Sequence, residues 1–237
     1  MQDDDCGILA GGCTGATNRW FTIGARQAGK LYGLDYRAEY YYQTGGAGGA
    51  SGAIAPGNTT SAWGTDHNIK GYTEEAARDA YMFGVRVGKS FNNVTWKPKI
   101  TLWYDYLSGN SDEDMENGDW GQFDTLYDTG HKFYGFMDAY LNRQSLGTAG
   151  MGLEDIAVKL KMTPKAAWTF KADMHWFRTE TDMDGANNTL VAANTLLGDA
   201  TAQSNSMGSE LDLTLAHKYD ANTKVQMGFS HYWTSDT

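Results

Sequence analysis

Residues 34–43 read LDYRAEYYYQ, and the alternation within them decides the fold. Leu34, Tyr36, Ala38, Tyr40 and Tyr42 fall on one side of an extended chain. Asp35, Arg37, Glu39, Tyr41 and Gln43 fall on the other, because successive strand side chains point to opposite faces. The pattern recurs at 99–106, KITLWYDY, where Ile100, Leu102, Tyr104 and Tyr106 oppose Lys99, Thr101, Trp103 and Asp105. It recurs again at 168–177 and at 224–231, where Val225, Met227, Phe229 and His231 oppose Lys224, Gln226, Gly228 and Ser230. Further candidate strands at 20–28, 77–89, 153–162 and 210–217 bring the set to about eight, each near the roughly ten residues that a tilted strand needs to cross a bilayer.

Working outward, the connections alternate in length. Short ones fall at 29–33, 91–96, 163–165 and 219–222, and long ones at 45–73, 108–152 and 180–209. Bacterial outer-membrane barrels have short periplasmic turns and long outer loops. A strand at 133–141 would put the loop after Thr179 on the wrong side, so 108–152 reads as one long outer loop. The acidic run DEDMENGD, starting at Asp112, lacks the ligand order of a calcium loop and reads as a solvated segment. The glycine-rich stretch from Gly45 lacks the Lys and Ser/Thr of a phosphate-binding loop.

Alternation also occurs in a soluble β-sandwich, with the apolar face inward. Three features favour a membrane barrel instead. The polar face carries charges of both signs in nearly every strand. Aromatic residues cluster near strand ends, as with Trp20, Tyr40, Tyr42, Tyr104, Tyr106, Trp168, Trp176, Tyr232 and Trp233, in the manner of interfacial girdles. The long-loop and short-turn alternation is systematic. The expected fold is therefore all-β, an antiparallel transmembrane barrel in the bacterial outer membrane. Residues 1–237 form one barrel domain, with 1–18 as a leading loop.

Composition excludes other classes. With 19 basic and 29 acidic residues the net charge is −10, which argues against a nucleic-acid partner. No run of about 18 apolar residues exists to make a transmembrane helix. The histidines His67, His131, His175, His217 and His231 lack metal-ligand spacing, and adjacent Ser230 and His231 point to opposite faces, so neither a cofactor nor catalysis is expected. Cys6 and Cys13 either close a small loop or stand as two thiols. The N-terminal MQDDDC has no signal peptide. The expectation is a segment of a longer gene, with strands missing before Met1 and one or two after Thr237.

On this reading Arg26, Arg37, Glu39, Arg86, Lys99, Asp105, Lys159, Lys171, Asp173 and Asp212 line a watery lumen. The second half of the long loop carries enough apolar side chains to fold inward or cap the mouth. Phe123, Asp124, Tyr127, Asp138 and Asn142 are its candidate constriction residues.

The stretch PKITLWYDYLSGNSDEDMENGDWGQFDTLYDTGHKFYGFMDAYLN resembles the alginate-export family of outer-membrane porins. The likeness rests on Tyr106, Ser108, Gly109, Asn110, Phe123, Asp124, Leu126, Tyr127, Gly135, Asp138 and Asn142. The segment from Gly208 resembles that family's penultimate hairpin. The resemblance implies a large single-chain barrel, embedded in outer-membrane lipid, that passes an anionic polysaccharide outward. The expected function is a channel for anionic saccharides or other small polar solutes. The alternative is a structural or adhesive barrel working through its outer loops.

Overall fold

The structure, a computed structural model, describes residues 2–3, 18–47, 76–111, 114, 119–125, 133–140, 151–180 and 205–235. Its strands are β1 (Gln2–Asp3), β2 (Asn18–Leu31), β3 (Leu34–Ala47), β4 (Ala76–Ser90), β5 (Lys99–Leu107), β6 (Asp119–Trp120), β7 (Leu153–Met162), β8 (Trp168–Arg178), β9 (Ser206–Lys218) and β10 (Lys224–Thr234). They form one sheet in the order β1-β2-β3-β4-β5-β7-β8-β9-β10, with neighbours antiparallel and β6 added parallel to β4. The order has two ends, so the sheet is not closed among the described residues, and its antiparallel up-and-down order is that of a barrel wall.

All eight expected strands are present, joined by short turns at one end. The tightest is Tyr32–Gly33, with φ values of 50° and 78°, the left-handed pair that a two-residue hairpin requires. Strands β2, β3 and β4 run to 14, 14 and 15 residues, longer than the expected ten. Their pairing continues past the bilayer length toward the long loops, as far as Arg19↔Gly46 and Ala47↔Ala76. Two short strands escape sequence reading. β1 pairs with the start of β2, inside the expected leading loop, and β6 lies inside the expected long loop. Residues 133–140, the rejected strand, are bends. Cys6, Cys13, most of the acidic run and the Gly45 loop beyond Ala47 lie outside the described residues.

The two faces of the sheet are covered in the reverse of the soluble order. Ile23 and Met227 are each 71% exposed, Phe229 58% and Leu102 57%. Glu39, Arg86, Asp105, Asp155, His175 and Glu210, on the opposite face, are buried. A sandwich would bury the apolar face, so the sandwich alternative falls. An exposed apolar sheet face of this extent matches the lipid band of an outer-membrane barrel. Toward the long loops Tyr40, Tyr81, Tyr106 and Phe83 stack on this outer face at centroid distances of 4.9–6.4 Å. Two residues assigned to the girdle do not belong to it. Trp20 is buried on the polar face beneath Arg78, and Tyr232 projects from the polar face to Tyr140. Position at a strand end suggested a girdle; parity along the strand decides otherwise.

Candidate channel wall

Strand register sets the geometry of the polar face. One cross-strand row runs Arg26, Glu39, Gly84, Asp105, Asp155, Phe177. The next runs Arg37, Arg86, Trp103, Ala157, His175, Glu210. Arg37 and Arg86 are thus direct neighbours of like charge, which alone would be unfavourable. Glu39 bridges them: Arg37 Nη2 donates to Oε2 and Arg86 Nη1 to Oε1, both at 2.6 Å. Arg86 Nη2 also donates to both oxygens of Asp105, at 3.1 and 3.0 Å. Its guanidinium lies 3.5 Å over the Trp103 ring, and Trp103 Nε1 donates to Asp105 at 2.9 Å. The arginine therefore has two carboxylates and an aromatic face, the set that makes a buried guanidinium tolerable.

A second cluster surrounds His175. Its Nδ1 lies 2.8 and 2.9 Å from the two oxygens of Asp155, and Lys159 Nζ lies 3.0 Å from its Nε2. An ammonium has only donors, so Nε2 accepts and Nδ1 carries the proton given to Asp155. Lys159 also reaches Asp173 at 3.5 Å and the face of Trp103 at 4.6 Å.

The long loop lies against this face in two places. Its first part is clamped by the Ser108–Gly109–Asn110 turn. Tyr81 N and Phe123 N donate to Ser108, Ser108 Oγ donates to Gly121 O, and Asn110 Oδ1 accepts from Gly121 N and Gln122 N. Asp124 and Gln43 exchange main-chain and amide hydrogen bonds at 2.7 and 2.9 Å. Arg78 lies 4.3 Å over Trp20 and 5.8 Å over Trp120.

Residues 133–140 form the second part. Phe136 N donates to Asp212 Oδ2 at 3.1 Å, and Met137 N to Glu210 Oε1 at 2.9 Å. Gly135, at φ +83°, passes so close that a Cβ there would meet Glu210 Cδ at 2.5 Å. Phe133 sits beside Trp103, and Tyr140 donates to Met207 O at 3.1 Å while packing on Phe177. Burial, reinforced by Asp105 and Asp155, raises the Tyr134 hydroxyl well above the ordinary phenol range, so it remains neutral.

All ten candidate wall residues project from this one face, but their surroundings differ. Glu39, Arg86, Asp105 and Asp212 are buried under partners; Arg37, Lys99, Lys159 and Asp173 are intermediate; Arg26 and Lys171 are exposed. Lys99 pairs with Asp35 at 2.7 Å. Of the candidate constriction residues, Phe123 and Asp124 belong to the clamp, and Asp138 lies in the bend over the wall at φ 51°. Tyr127 and Asn142 lie outside the described residues. Sequence reading leaves Gln43, Arg78, Trp103 and Asp155 out of the site, whereas it puts Glu210 on the charged face and His175 toward the lumen beside Asp173 and Lys171, the face on which the register has them. Parity already placed Trp103 and Asp155 on the charged face, and that signal went unused.

The result is a partial sorting of charge by sign. The carboxylates Glu39, Asp105, Asp155, Glu210 and Asp212 are buried, as are Arg78 and Arg86; Asp35 and Asp173 are half-buried beside Lys99 and Lys159; and the wall charges fully open to water, Arg26, Lys161 and Lys171, are basic. The wall is mixed in sequence, and among the described residues its most exposed charges are basic. No group of residues that could hold a metal is found among the described residues. A family model described as alginate export matches residues 12–237. No curated protein matches the chain.

Proposed function

Because this chain belongs to the alginate-export family of outer-membrane porins, we propose that its polar face is the wall of a channel for anionic saccharides. The observation that carries this reading is the sorting of charge. Buried carboxylates hold arginine, histidine and loop amides in place, half-buried Asp35 and Asp173 hold lysines, and the fully exposed charges of the wall are basic. Pores select by the charge that faces the permeant, not by the sum along the chain. The net charge of −10 is therefore no obstacle to an anion path.

Residues 133–140 narrow the path. They lie on the wall rather than beyond it, and they bring Phe133, Tyr134 and Tyr140 against Trp103 and Phe177. Aromatic faces beside basic groups suit sugar rings that carry carboxylates. Small polar anions share the same path. The chemistry is passage, with no bond made or broken.

The test is the reversal potential of the purified protein in a planar bilayer under a salt gradient. Anion preference is expected, together with block of the current by an oligosaccharide of uronic acids. Cation preference would overturn the reading. A folded barrel that conducts nothing would instead mark a scaffold.

A further inference from the structure

At the short-turn end the polar face carries lysines in direct register. Lys99 pairs with Lys161, and Lys161 with Lys171. Lys218 pairs with Lys224 in the last hairpin. Like charges placed opposite one another destabilise a sheet, and the strands carry them in two adjoining places. Lys99 is matched by Asp35, and Lys224 donates to Gln226 at 2.9 Å. Lys161, Lys171 and Lys218 are exposed and have no carboxylate partner among the described residues. The nearest turn carboxylate, Asp220, accepts from its own Asn222 N and Thr223 N, both at 2.7 Å.

At the last hairpin lies a cavity of about 310 Å³, lined by Thr169, Lys218, Asp220, Asn222, Thr223 and Lys224 among others. Its size falls at the lower end of small-molecule sites, roughly 300–1,000 Å³. Hydroxyl, amide and ammonium groups converge on it, and its one carboxylate, Asp220, is engaged by the N–H groups of its own turn. The lysines lie on the face opposite the exposed apolar side chains, so lipid headgroups are not their counterions.

We propose that this end is a capture vestibule, where the carboxylates of an oligouronate bind before the chain enters the lumen. Short turns lie on the periplasmic side of such barrels, so an exported polyanion meets these lysines first. The ladder of Lys99, Lys161 and Lys171 draws it in, and the cavity beside Lys218 and Lys224 seats a leading sugar. The inference rests on the anion-channel reading and adds to it a side and a set of residues.

The experiment uses the whole barrel in planar bilayers, with insertion direction fixed by an asymmetric protease site. A uronic acid tetrasaccharide is added to one side at a time, and the frequency of current block is counted. Lys161→Gln/Lys171→Gln should lower the frequency from the short-turn side about ten-fold, as loss of electrostatic steering does. The frequency from the long-loop side should change less than about two-fold. Lys161→Arg/Lys171→Arg should retain the parent frequency. Should the glutamine variant fail to fold, the parent decides alone: raising salt must depress capture more steeply from the short-turn side. Equal capture by parent and glutamine variant, equal loss on both sides, or loss in the arginine variant overturns the vestibule. A parent without anion preference overturns the channel reading as well. A parent with anion preference and unaffected variants overturns the vestibule alone.

Discussion

Gly84 stands opposite Asp105 in the β4–β5 ladder, and a Cβ at Gly84 would lie 2.5 Å from the Asp105 Oδ1 oxygen. The same added carbon would come within 3.3 Å of Glu39. The absent side chain is what lets both carboxylates converge on Arg86. Gly84→Ala is expected to destabilise the barrel by about 1–3 kcal/mol, the usual cost of overpacking. Gly228→Ala is the control, since its Cβ would meet nothing nearer than 3.7 Å. Urea unfolding in lipid vesicles should separate the two; equal midpoints would show that the triad tolerates displacement.

Removing the arginine itself leaves Asp105 buried without its cation and Glu39 with Arg37 alone. Arg86→Met is expected to cost about 3–5 kcal/mol, most of it the penalty of the stranded carboxylates. Adding Glu39→Gln and Asp105→Asn to Arg86→Met should recover a large part of that loss. Exposed Arg26 makes no such contact, and Arg26→Gln should unfold with the parent.

The outer face answers to lipid. Leu102→Arg puts a charge near mid-strand on the exposed apolar side and should cost about 2–4 kcal/mol in vesicles. Thr101→Arg, one residue away, faces the polar side beside Lys159 and should cost far less. A reversed order of cost would place the hydrocarbon on the wrong face.

On the proposed reading the inward bend sets both the width and the sign of the path. Replacing residues 133–140 by a Gly-Ser linker of equal length removes the amides that cap Glu210 and Asp212. Conductance should rise, and anion preference should fall because newly exposed carboxylates join the wall. Unaltered conductance and reversal potential in the folded variant would take the bend out of the path.

The last turn is sensitive to acid. Two main-chain N–H groups, of Asn222 and Thr223, hold the Asp220 carboxyl below the ordinary aspartate range. A folded value below the unfolded one means that the stabilisation is complete above the unfolded pKa. It fades as pH falls through the folded pKa. Amide exchange at Asn222 and Thr223 should accelerate over that acid window relative to strand amides, and Asp220→Ala should show the faster exchange at every pH.

Much of the architecture was readable from parity and spacing. The alternation in LDYRAEYYYQ assigned Arg37 and Glu39 to one face, and the strand register agrees. Turn lengths located the short-turn end without a structure. What parity does not carry is the environment of each charge. Asp155 and Lys171 both lie on the polar face, yet one is buried under His175 and the other is open to water. That difference depends on a segment more than seventy residues from its anchor: Phe136 and Asp212 are 76 apart in sequence. A period-2 pattern is local and holds no information about such contacts. Trp20 is a different case: it shares the parity of Arg26 along β2, so alternation already gives it an inner position, in agreement with its register with Gly45 and nearness to Arg78.

The bend is fastened to Glu210 and Asp212 by the peptide N–H of Met137 and Phe136. A fastening of this kind is indifferent to what the two residues are, provided neither is proline, which has no such hydrogen to give. The bore can therefore be retuned by exchanging Phe136 or Met137 for smaller, larger or charged groups while the anchor holds. Calibre and attachment are inherited through different atoms, and a change of cargo need not disturb the hinge on which the segment hangs.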